Sequence, residues 1–178
     1  MRKLAPMILA LALAVIVSGT ARAQAPVASP ETKEAMAKLA FLAGKWRGDA
    51  TFQMGPQAQE LTQSEDVQSR LDGLVLVIEG IGKSKTDGQV QHHAFATISY
   101  DAAAKNYRVV AVRKDGQCVI TSGTFLPDGA FQWGFEMPQG AVRFTIRHAE
   151  GDVWHETGEI SFDKATWKQY IEMRLKRV

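Results

Sequence analysis

Four histidines are the first candidates for chemistry, and their spacing limits what they can do. His92 and His93 are neighbours. Successive side chains on an extended strand point to opposite faces, so the two cannot close on one metal ion. His92 shares parity with Val90, Ala94, Ala96 and Ile98 and is expected to face inward, as a hydrogen-bonded core histidine or a ligand contact. His93 shares parity with Phe95, Thr97 and Ser99. His155 and Glu156 stand in the run Trp-His-Glu-Thr-Gly-Glu, which lacks the second histidine of H-E-x-x-H. A zinc hydrolase therefore fails on ligand count. His148 follows Val142, Phe144 and Ile146 at the same parity and is expected near the rim of their face. Three inward histidines from separate strands remain a way to build a metal site, but no metal motif is complete.

Acids are sparse among the apolar runs. Glu79 follows Leu74-Val75-Leu76-Val77-Ile78, and Glu172 lies near Arg174. A carboxylate inside such a structure must be paired or protonated, and an ion pair with arginine is the expected state. No serine sits in a nucleophile elbow, and no Gly-rich loop precedes a helix. Cys118 precedes Val119 and Ile120 and reads as a buried small hydrophobe.

The elements that hold these residues show a period of two. From Lys45 to Met54 every even position is apolar or glycine, which predicts a strand with one dry face. Further strands are predicted in Leu74–Gly80, Val90–Tyr100, Tyr107–Arg113, Gln117–Phe125, Phe131–Met137, Val142–Arg147, around Trp154–Phe162, and in Trp167–Lys176. Turn signals such as Thr86-Asp87-Gly88, Lys114-Asp115-Gly116 and Pro127-Asp128-Gly129 separate them. Ser29 as N-cap and Pro30 at the first turn open one helix, which Gly44 is expected to end. Asp163 to Trp167 offers at most one more turn. The pattern predicts an all-β antiparallel meander closed into a single up-and-down barrel of about 8–10 strands, with the short helix plugging one end. A two-sheet sandwich is the competing architecture.

Trp46, Phe52, Phe131, Trp133, Phe135 and Phe144, with Met54 and Met137, fall on the expected inner faces. Most would pack the core. A barrel of this size also has room for a pocket lined by aromatics with a few polar anchors. His92, Tyr100 and Arg113 are the expected anchors, and Trp46, Phe52, Trp133, Phe144 and His155 complete the candidate ligand contacts.

The chain start reads as an export signal: Arg2 and Lys3, an apolar run from Pro6 to Val17, and Ala21-Arg22-Ala23 as a cleavage site. The run is shorter than the ~20 residues of a membrane-spanning helix. The expected organisation is a signal peptide over 1–23, a flexible leader over 24–30 and one barrel domain over 31–178, in a periplasmic or secreted protein. Lys and Arg number 21 against 19 Asp and Glu, and removing Arg2, Lys3 and Arg22 brings the cations to 18. No basic run remains to suggest nucleic acid. One cysteine leaves no intramolecular disulfide.

Phe41-Leu42-Ala43-Gly44-Lys45-Trp46 resembles the G-x-W signature of the lipocalin and calycin barrels. In those barrels the Trp lies at the closed end against a basic residue of the last strand, a part the resemblance gives to Arg174 or Arg177. With Gly73 to Glu79, Ile98-Ser99-Tyr100-Asp101 and the terminal Trp167-x-x-x-Ile171-Glu172-Met173-Arg174, nearly the whole mature chain resembles bacterial lipocalin-like barrels of unknown function. More distantly it is similar to nitrobindin-type barrels, which bind heme through a His near the C-terminus. No His follows His155 here, so the heme the resemblance implies would lack that ligand unless His148 or His155 took its place.

The resulting expectation is a barrel holding a small hydrophobic or amphipathic ligand, with no nucleic-acid partner and no membrane span once the signal is cleaved. An enzyme using a cavity histidine and a filled barrel acting through its surface are the alternatives.

Overall fold

The structure is a computed structural model and describes residues 27–53 and 55–178. The expected signal peptide and Met54 lie outside the described residues. The Ser29 hydroxyl accepts a hydrogen bond from the Thr32 amide at 3.1 Å and caps α1 (Pro30–Ala37). The helix therefore starts at Pro30, inside the expected leader, and it ends well before Gly44. A 3-10 turn (Ala40–Leu42) carries the chain onward. Only Ala35 and Met36 of α1 are buried, whereas Leu39 and Leu42 are both fully buried. The tighter turn puts side chains three apart on one line, which sends both leucines into the core.

Ten strands follow: β1 (Gly44–Phe52), β2 (Gln59–Arg70), β3 (Val75–Ser84), β4 (Val90–Asp101), β5 (Asn106–Arg113), β6 (Cys118–Phe125), β7 (Phe131–Met137), β8 (Gly140–Ala149), β9 (Val153–Ser161) and β10 (Lys168–Arg177). Each pairs antiparallel with its neighbours in sequence, and β1 pairs with β10 from Trp46↔Arg177 to Phe52↔Ile171. The sheet closes into a barrel with no free edge, so the sandwich alternative is excluded. β2 has no counterpart among the strands predicted above. Its sequence, QELTQSEDVQSR, puts only Leu61 and Val67 on the inner face as apolar residues. Gln63 and Glu65 take the inward positions between them, which erases the period-two signal.

The helix end of the barrel is shut. Tyr107 Oη donates to the Ala35 carbonyl at 2.7 Å, and Tyr100 Oη donates to Glu31 Oε1 at 3.2 Å. Trp46 is buried, and its Nε1–H donates to the Leu42 carbonyl at 2.7 Å. Arg177 lies over the Trp46 ring at 4.2 Å, so it, and not Arg174, takes the part of the basic partner. Its guanidinium also donates to the carbonyls of Ala43 and Phe41, at 2.6 and 2.9 Å. Trp154 meets Trp46 edge-on, with ring centroids 5.9 Å apart.

Three further expectations change. Cys118 is exposed, because Val119 takes the inward position on β6. Phe162 lies past the end of β9 and is exposed. Asp163–Trp167 forms bends instead of a helical turn, with Asp163 Oδ1 accepting from the Ala165 and Thr166 amides.

Candidate functional site

The side chains of the described residues leave part of the barrel interior open. A cavity of about 480 Å³ runs from the end opposite α1 toward the shut end. Its mouth lies at the start of β4 and the turn between β5 and β6, where Gln91, His92, Arg113, Lys114 and Gln117 line it. Arg113 is tied back to Asp115, and Lys114 Nζ donates to the Val90 carbonyl at 3.0 Å. The wall is apolar and aromatic. Trp133 stacks on Phe144 with centroids 4.4 Å apart, and Phe52 packs against the His92 ring at 5.7 Å. Ala94, Ala96 and Ala111 keep the opposite wall thin.

Polar groups gather again at depth. Gln63 and Glu65 project inward from β2, and Glu156 from β9. Gln63 Nε2 donates to Glu65 Oε1 at 2.7 Å, and Trp154 Nε1 donates to Glu156 Oε2 at 3.1 Å. Gln63 Oε1 is buried and has no hydrogen-bond partner among the described residues. The facing strand makes room for this group. A Cβ on Gly80 would stand 2.6 Å from both Glu65 carboxylate oxygens, and one on Gly82 would stand 2.5 Å from Gln63 Oε1. Register sets these contacts, since Glu65 pairs with Gly80 and Gln63 with Gly82.

Burial controls the charges. It pushes the Glu65 carboxyl up to about 8, helped by the charge of Glu156 and opposed by the Gln63 hydrogen bond. It pushes Glu156 up to about 7. Glu156 is half-buried and lines the cavity. Burial drives His92 down to about 4, and the Arg113 charge adds to this, so the imidazole is neutral at neutral pH. Burial also raises the Tyr170 hydroxyl above its ordinary range. Tyr170 and Ile171 both line the cavity because a bulge interrupts the β9–β10 pairing between Gln169 and Ile171.

Of the eight residues expected to contact a ligand, Phe52, His92, Arg113, Trp133 and Phe144 line the cavity. Trp46, Tyr100 and His155 do not. Trp46 is packed beneath the floor, and Tyr100 is bonded to α1 at the shut end. His155 points outward between the inward Trp154 and Glu156, and its Nε2 lies 3.0 Å from Glu172 Oε1. His148 stacks on Phe41 and bonds Asp152 at 2.9 Å, and His93 bonds Glu79 at 2.9 Å. The histidines are therefore not brought together, and among the described residues no group of three His, Cys, Asp or Glu is placed to hold a metal. Glu79 and Glu172, the acids expected inside, bond histidines on the outside instead. The inward acids are the buried Glu65 and the half-buried Glu156, missed because β2 has few apolar inward residues and because Glu156 stands in an incomplete zinc motif. Parity with Leu61 and Val67, and with Trp154, was the signal that marks both as inward.

On β10 the side chains that line the cavity are Tyr170, Ile171 and Met173, and the next inward one, Leu175, is packed in the core. They do not fit the histidine ligation that the heme resemblance implies.

Over residues 31–177 the chain matches the family described as Protein of unknown function (DUF1579). No curated protein matches it. Among solved structures, the S-type phycobiliprotein lyase CPES from Guillardia theta superposes with a TM-score of 0.58 at 13% identity, over 84% of this chain and 98% of the lyase. Rv2717c from M. tuberculosis superposes with a TM-score of 0.60 at 12% identity, over 84% of this chain and 98% of that one. At such identities the likeness shows a shared lipocalin-like barrel and nothing finer.

Proposed function

The chain belongs to the DUF1579 family, and from that premise we propose that it is an exported carrier or sensor that holds one small amphipathic molecule inside its barrel. The cavity of about 480 Å³ carries this reading. Its size and aromatic wall, with polar groups at both ends, are those of a small-molecule site. The neighbouring barrel named as a phycobiliprotein lyase is consistent with an interior used for a ligand. Binding alone fits better than catalysis by histidine. His92 reaches the cavity, but among the described residues no hydrogen bond orients its ring, whereas a general base needs such a partner. Export is proposed from Met1–Ala23, and N-terminal sequencing of the periplasmic form should begin at Gln24.

The test is titration of the purified chain with N-phenyl-1-naphthylamine, an apolar fluorescent probe. Saturable one-to-one binding that is lost in Ala96→Phe supports the reading. Ala96 and its cross-strand partner Ala111 both line the cavity, so the added ring occupies it. Absence of saturable binding, or binding that persists in Ala96→Phe, places the probe elsewhere and sinks it.

A further inference from the structure

The deep end of the cavity is more than the bottom of an apolar pocket. Three oxygen-bearing side chains, Gln63, Glu65 and Glu156, gather there below an aromatic wall. One acceptor has no donor among the described residues: Gln63 is 1% exposed, its Nε2 is spent on Glu65, and its Oε1 accepts no hydrogen bond. A buried acceptor without a donor is unfavourable, so a ligand that brings an N–H is rewarded there. The two carboxyls bond only uncharged partners, Gln63 and Trp154. The cations lining the cavity, Arg113 and Lys114, stand at its mouth and are bound to Asp115 and the Val90 carbonyl. Acceptors at the bottom and apolar rings above describe a complementary ligand of one kind.

We propose that this end is a subsite for the protonated nitrogen of an amphipathic amine, held between Glu65 and Glu156 with one N–H donated to Gln63 Oε1. The apolar body of the amine lies along Trp133 and Phe144. This rests on the cavity reading above and narrows it to a ligand class.

The electrostatics make binding pH-dependent. Glu65 holds its proton up to about 8 and Glu156 up to about 7, so a cation entering at neutral pH expels a proton. The groups facing the two carboxyls are Gln63 on β2, Trp154 on β9 and Tyr170 on β10, with uncharged Gly80 and Gly82 on β3. His92 and Arg113 lie farther out at the mouth, and neither neutralises the acids. Affinity for the amine should climb from about pH 6 to about pH 8.5, by up to about tenfold per pH unit for each proton released.

Isothermal titration with decylamine and with decanol tests this, since the two share an apolar chain and differ in the head. Near pH 8.5 decylamine should bind wild type at least about tenfold tighter than decanol, a preference of about 1.4 kcal/mol. The preference should shrink near pH 6, and titrations in buffers of different ionisation enthalpy should show proton release near pH 7. Glu65→Gln should erase the preference, and Glu156→Gln serves equally if the first variant folds poorly. Decanol binding with no preference for decylamine would overturn the amine subsite and leave the cavity reading standing. Failure of both probes to bind wild type overturns both.

Discussion

The Glu65 carboxylate lies in a slot that Gly80 opens, with both of its oxygens 2.6 Å from where a Gly80 Cβ would stand. The pair sits directly opposite in the β2–β3 register, and Glu65 is 7% exposed. Gly80→Ala must therefore displace a buried side chain that Gln63 holds in place. The expected loss is about 1–3 kcal/mol. In a Glu65→Ala background the same substitution should cost little, and a double-mutant cycle by urea denaturation measures that coupling. Equal costs in both backgrounds would show that Glu65 is not what fills the space.

Stability should depend on pH through the same carboxyl. The folded protein binds the Glu65 proton more tightly than the unfolded chain, whose value is near 4.5. That contribution is complete below about 4.5 and is lost as pH rises through about 8, at up to about 1.4 kcal/mol per pH unit. Glu156 acts in the same direction up to about 7. Glu65→Gln should match wild type near pH 4.5 and exceed it near pH 8.5. Parallel stability curves for the two proteins would contradict the buried, protonated acid.

His92 works in the opposite sense. Its folded value, about 4, lies below the 6.5 of the unfolded chain, so its contribution is present above 6.5 and is lost as pH falls toward 4. His92→Phe should remove that acid-side loss while leaving the alkaline side unchanged. Thermal melts between pH 4 and pH 7 check it, and an acid limb identical to wild type refutes the burial of His92.

Much of the architecture was legible because some strands alternate strictly, as in Lys45–Phe52 and Phe131–Met137, and turn signals bound the apolar runs between them. The G-x-W segment placed Trp46 at the shut end, where Arg177 covers it. The site was legible only in part. Inward aromatics announce themselves by parity, and Phe52, Trp133 and Phe144 line the cavity as expected. Gln63 and Glu65 did not, because reading β2 as a strand requires apolar inward residues, and the site replaces two of them with polar ones. His155 was misread for a related reason. Its neighbour Glu156 takes the inward position beside Trp154, whose Nε1 donates to its carboxyl.

The shut end should be a large share of the fold's stability. Trp46 is buried against Trp154 and Arg177, with its indole N–H satisfied by Leu42. Trp46→Ala should cost about 3–5 kcal/mol, measured by chemical denaturation. Arg177→Ala should cost less, because Trp46 stays packed, though it strands the Phe41 and Ala43 carbonyls. A melting temperature unchanged in Trp46→Ala would refute the role given to this end.

The central claim is that the barrel interior holds a small molecule. Native mass spectrometry of the protein purified from its producing cell, beside Ala96→Phe prepared identically, tests it most directly. Wild type should carry a discrete added mass of one small molecule, released on denaturation and missing from the variant. A wild-type mass equal to that of the bare chain, unchanged by added decylamine or decanol, would contradict it.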